Sequence, residues 1–144
     1  MKTSTDTASV KQQSEAETLI ATISEDHERI AQFEKIGAQV LCLEADHGQV
    51  SLPALWRELG RRQLQKILLE GGATLAGSAL SKGLIDQIMI FIAPKIVNGS
   101  NKHGLFSGSG CRTMAEAVQL KRMKTEQVGT DLLITAQVGT CLPV

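Results

Sequence analysis

Apolar residues fall along this chain in short runs parted by polar and glycine-containing stretches, and the period within each run sets what it can become. Residues 18–23 are continuously apolar or β-branched and are predicted as a buried strand. Ser24 is followed by acidic, basic and apolar residues at helical spacing, so it is predicted to cap a helix that runs through Phe33 to Ile36 and stops at Gly37. Residues 38–44 read as a second apolar strand and Asp46-His47-Gly48 as a turn. Ser51-Leu52-Pro53 then starts a helix, with proline in its first turn, that ends by Gly60 or Arg62.

Lys66-Ile67-Leu68-Leu69 is predicted as a third, short strand running into Glu70-Gly71-Gly72, after which residues 73–80 have helical composition. Residues 85–93 form a long apolar run closed by Pro94, predicted as a fourth strand in the middle of the sheet. Residues 98–110, rich in Gly, Ser and Asn, are predicted as loop, and residues 113–118 as a helical turn. Two strands flank Gly129-Thr130-Asp131 as a C-terminal hairpin. Strands alternating with helices, then a hairpin, predict an α/β fold: a mostly parallel sheet flanked by helices with an antiparallel edge.

Composition narrows the function classes. In 144 residues, 15 Lys and Arg balance 15 Asp and Glu, and the basic residues are scattered, which leaves no footprint for nucleic acid or an anionic membrane. Cys42, Cys111 and Cys141 are far apart and odd in number, with no histidine at ligand spacing, so neither a disulfide framework nor a metal site is expected. Reduced thiols in a cytoplasmic setting fit this pattern. Residues 1–17 carry almost no large apolar side chain and are expected to be a flexible tail before one domain over residues 18–140. The apolar run at 85–97 is too short to span a membrane and contains Asp86, Pro94 and Lys95.

The junction at residues 66–80 carries the candidate chemistry. Paired glycines between a strand and a helix let the backbone approach a ligand, and the first N–H groups of the helix favour an anion such as a phosphate. The plainer alternative is a tight turn, and Glu70 alone is equally a surface acid near a helix start. In an α/β sheet, however, a carboxylate at the carboxyl end of a strand faces the ligand crevice and can accept hydrogen bonds from substrate N–H groups.

Taken with Gly83-Leu84-Ile85-Asp86-Gln87, Ile92-Ala93-Pro94-Lys95 and Gly104-Leu105-Phe106, the run from Ile67 to Leu80 resembles the reductase domain of the bacterial bifunctional riboflavin-biosynthesis deaminase/reductase. The resemblance covers about Thr18 to Val138 and is weaker at its start. It implies a dihydrofolate-reductase-like fold, homodimers, and NADPH-dependent reduction of 5-amino-6-(5-phosphoribosylamino)uracil, with hydride delivered to the sugar C1 of the open-chain imine. It further implies that Gly71 and Gly72 lie beside the cofactor phosphates, that Thr74 and Leu75 continue that cofactor site, and that Glu70 faces the pyrimidine. Thr22 and Ser24, at the end of the first strand, are expected to receive the adenosine 2′-phosphate on hydroxyls and free N–H groups.

Since the cofactor carries the hydride chemistry, orientation and exclusion of water matter more than a strong acid or base, and no proton donor or catalytic residue is assigned. The family's opening strand and helix, with its lysine, is not recognisable here, nor are the deaminase's zinc ligands. That gap predicts unpaired strand edges in the middle of the sheet. A catalytically inactive binding or assembly module of the same fold, or a related dihydrofolate-reductase-like enzyme, therefore stands beside the reductase reading. Lys95, His103, Trp56 and Cys42 have plain structural explanations as a solvated strand end, a turn residue, a helix-packing residue and a small buried hydrophobe.

Overall fold

The computed structural model describes residues 17–96 and 104–139. The predicted tail, apart from Glu17, lies outside the described residues, as do His103, Cys141 and part of the predicted loop at 98–110. The chain divides into two compact units, Met1–Lys66 and Ile67–Val144.

In the first unit, strand β1 (Leu19–Thr22) is followed by helix α1 (His27–Lys35) and strand β2 (Gln39–Cys42). β1 and β2 pair in parallel, Leu19 beside Gln39 and Thr22 beside Cys42, with α1 as the crossover that parallel pairing requires. Phe33, fully buried, projects from α1 onto Ile20, Val40 and Ala38 and forms the core of this unit. The helix ends in two turn-closing bonds: Gly37 N–H donates to the Glu34 carbonyl at 3.0 Å and Ala38 N–H to that of Phe33 at 3.1 Å. This arrangement needs a left-handed residue after the helix, and Gly37 supplies it at φ +87°.

The predicted cap is corrected. Asp26, not Ser24, caps α1, its carboxylate accepting the Arg29 N–H at 3.1 Å. Ser24 instead accepts the Asp26 N–H at 3.3 Å, one step upstream, because the chain leaving β1 turns before the helix begins. Beyond β2, the short strands β3 (Ala45–Asp46) and β4 (Gln49–Val50) form a hairpin. Its two loop residues, His47 and Gly48, both have positive φ, as the tight hairpin turn requires. Helix α2 (Leu52–Arg61) starts where predicted: the Ser51 hydroxyl accepts the Ala54 N–H at 3.4 Å and Pro53 sits in the first turn.

The strand predicted at residues 66–69 is not formed. After the Leu64 N–H, which donates to the Leu59 carbonyl, no backbone hydrogen bond to a described residue involves residues 65–71. Leu68 is 77 % exposed. A strand exists only against a partner, and no described strand runs alongside this segment.

The second unit contains helix α3 (Ala73–Ser81) and strands β5 (Gln87–Ile92), β6 (Leu120–Val128) and β7 (Asp131–Val138). The sheet order is β5-β7-β6 and every pairing is antiparallel. The sheet is therefore not mostly parallel: among the described residues, parallel pairing is confined to β1 and β2. β7, not β5, is the middle strand, because only one edge of β5 meets a described strand. Hairpin β6–β7 turns at Gly129-Thr130 as predicted. On one sheet face Ile88 lies beside Ala136 and Ile90 beside Ile134, and Ile88 and Ala136 are buried. Leu80 of α3, Ile88, Ile90, Phe106, Val118 and Leu120 line an apolar groove on this unit.

Candidate functional site

Gly72 is the N-terminal cap of α3, in extended conformation, and with no side chain it makes no cap hydrogen bond. The first backbone bond at this end is Ala76 N–H to the Gly72 carbonyl, at 3.1 Å. Among the described residues, the N–H groups of Gly72, Ala73, Thr74 and Leu75 consequently have no partner. These are the donors that every helix start leaves over, and with the aligned peptide dipoles they attract an anion. A side chain built at Gly72 would meet nothing within 4 Å, so the approach is open. At Gly71 a Cβ would lie 2.7 Å from Leu75 Cδ2, so Leu75 closes over Gly71 and fixes the turn that leads in.

Glu70, expected to face the pyrimidine, and Gly71, Gly72, Thr74 and Leu75, expected beside the cofactor, are contiguous along the entry to α3 and its first turn, exposed to solvent. Glu70 has no hydrogen-bond or ionic partner among the described residues, and the 65–69 segment before it is not a strand and pairs with no described residue.

Thr22 and Ser24 belong to the first unit. Thr22 is buried, and its hydroxyl oxygen accepts the Ser24 N–H at 2.9 Å. Each of the two hydroxyls keeps its own hydrogen for donation, but Glu25, Asp26 and Glu28 crowd the same helix start. Asp26 already occupies one of the N–H groups that would otherwise attract an anion there. Cys42 lies near this turn, its thiol 3.8 Å from the Ser24 carbonyl.

Sequence reasoning passed over a contact at α3. The Ser107 N–H donates to the Ala73 carbonyl at 2.9 Å. The signal was present: Gly77 sits inside a helix, where glycine is disfavoured by roughly 1 kcal/mol against alanine and usually has a packing reason. The apolar groove, by contrast, includes none of the predicted site residues. No three His, Cys, Asp or Glu side chains come together as a metal site among the described residues, and no described helix is long and apolar enough to cross a membrane.

Residues 1–134 match the family model of the RibD C-terminal domain. The chain belongs to that family. It is 37 % identical over 134 residues to the riboflavin biosynthesis protein RibD of Actinobacillus pleuropneumoniae, covering 93 % of this chain and 36 % of that protein. It is 35 % identical over 107 residues to a 2,5-diamino-6-ribosylamino-4(3H)-pyrimidinone 5′-phosphate reductase of Methanothermobacter thermautotrophicus, covering 74 % of this chain and 48 % of that one. The chain thus spans between about a third and a half of these relatives' length. Acinetobacter baumannii RibD shares the fold of this RibD-family chain, with a TM-score of 0.68 at 21 % identity over 84 % of this chain and 31 % of its own.

Proposed function

We propose that this RibD-family chain serves NADPH-dependent reduction of a phosphoribosylaminopyrimidine, 5-amino-6-(5-phosphoribosylamino)uracil in the first instance. The observation that carries this reading is the uncapped, open start of α3 directly after Glu70. The residues fit a dinucleotide: partnerless N–H groups from Gly72 to Leu75 would hold a cofactor phosphate, with Gly71 and Gly72 admitting close approach. Bound NADPH supplies the hydride. Glu70 would accept hydrogen bonds from the pyrimidine N–H groups and so orient the sugar, and Leu75 over Gly71 would keep water from one side of the cradle. Thr22 and Ser24 would donate their hydroxyl hydrogens to the adenosine 2′-phosphate. The reading includes a homodimer acting in the cytoplasm, and light scattering on the purified chain reads the dimer directly.

Fluorescence titration with NADPH tests the cradle. Saturable binding, lost in Gly72→Asp, is expected, followed by NADPH oxidation when the pyrimidine is added. One observation favours a second reading, binding without turnover: the segment that should hold Glu70 as the end of a strand makes no backbone hydrogen bond to a described residue, and its Leu68 is exposed. Tight NADPH binding with no oxidation at saturating pyrimidine would support that reading.

A further inference from the structure

We propose that Gly77 is a positioning residue whose missing side chain lets the backbone at Ser107 latch onto α3, holding the 104–110 loop as one wall of the cofactor phosphate cradle. A Cβ placed on Gly77 would lie 1.8 Å from the Ser107 carbonyl oxygen, 2.8 Å from its carbon and 3.0 Å from the Ser107 nitrogen. All of these are backbone atoms, which cannot rotate aside as a side-chain tip can. No side chain at position 77 is compatible with the loop in this place. The approach is also bonded: Ser107 N–H donates to the carbonyl of Ala73, one helical turn before Gly77, at 2.9 Å.

The latch has a second anchor. Phe106 turns into the apolar groove beside Leu80, Ile88 and Ile90, so consecutive loop residues grip the helix by backbone and the sheet by side chain. The remainder of the loop has no regular structure and carries Gly108 and Gly110 at positive φ, so among the described residues these contacts anchor it. Ala73 is the first residue of α3 and contributes one of the partnerless N–H groups. Pinning the loop to the Ala73 carbonyl fixes a polypeptide wall beside that first turn, where it excludes water and raises the strength of the anion contact. Glycine in mid-helix is otherwise disfavoured, which the latch explains.

This inference rests on the phosphate-cradle reading, and the experiment separates the two. Gly77→Ala, Ser107→Pro and Ser107→Ala are made in the full chain and checked for retained helical circular dichroism. Hydrogen exchange over residues 104–112 reads the latch without any cofactor, and NADPH titration reads its consequence. Gly77→Ala evicts the loop and Ser107→Pro removes the donated N–H. Both are expected to speed loop exchange and to weaken NADPH binding about tenfold. Ser107→Ala keeps the backbone and is expected to match the parent in both readouts, which a role for the hydroxyl would not allow. Faster exchange in Gly77→Ala with unchanged NADPH affinity overturns the positioning role and leaves the cradle standing. Unchanged exchange overturns the latch itself. A parent chain that binds no NADPH removes the cradle, and the positioning role with it, even where the exchange result holds.

Discussion

The starts of α1 and α3 are the same local device with opposite outcomes. Both follow a short apolar run. At α1 the chain places Asp26 so that its own carboxylate takes the helix's leading N–H, with Glu25 and Glu28 adding negative charge. At α3 it places Gly72, which offers no acceptor, and no acid lies in the first turn. One helix start caps one of its leading donors with its own side chain, while the other, among the described residues, leaves all of them to water or a ligand. A helix start is therefore informative about binding when the residue at the cap is one that declines to cap, and α2, closed by Ser51, falls with α1.

The largest effect should come from making α3 resemble α1. Gly72→Asp supplies a capping carboxylate where a side chain meets open space. Asp outranks Gly at this position by only a few tenths of a kcal/mol, so thermal stability should hold or rise slightly. The same charge placed against a phosphate costs about 3 kcal/mol, so NADPH affinity should fall by about 100-fold. Calorimetric melting beside the titration separates the two; lost affinity together with lost stability would mean that the turn itself had collapsed.

A smaller effect comes from making α1 resemble α3. Asp26→Ala removes the carboxylate acceptor of the Arg29 N–H and should destabilise the first unit by about 1 kcal/mol in urea melts. NADPH affinity should not fall, since the donors at α3 are untouched and the only charge removed is a repulsive one near Thr22 and Ser24. A parallel loss of affinity would show that the two helix starts act together and would undo the contrast.

How far this contrast was legible beforehand depends on the range of the interactions. The β1–α1–β2 unit, the Ser51 start of α2 and the Gly129 turn are decided within a few residues, and the sequence pattern sufficed for them. Ser24 and Asp26 are both capping types two positions apart. The choice fell to Asp26 because the chain turns once after β1, with Ser24 bonded inside that turn. The strand at 66–69 failed for the opposite reason: its apolar run is correct, but strand formation depends on a partner that local pattern does not contain. For the site, Glu70 to Leu75 is contiguous and was readable, whereas Ser107 meets Ala73 and Gly77 from 30 or more residues away, with only a mid-helix glycine to announce it.

The smallest expected effect bears on the self-capped helix and on Thr22 and Ser24. Asn caps as well as Asp, so Asp26→Asn should leave stability where it is. It removes one negative charge close to the two hydroxyls, whose backbone bonds to Ser24 and Asp26 stay in place. If the adenosine 2′-phosphate rests on those hydroxyls, the parent chain holds it against the repulsion of Asp26. Relieving that repulsion should raise NADPH affinity by about two- to fivefold, the scale of a solvent-screened surface pair, and the gain should fade as salt is added. NADH lacks the 2′-phosphate and provides the control within the same experiment. An NADPH gain absent for NADH places the phosphate at the α1 start; equal response to both cofactors moves it elsewhere and leaves Thr22 and Ser24 as residues of the turn alone.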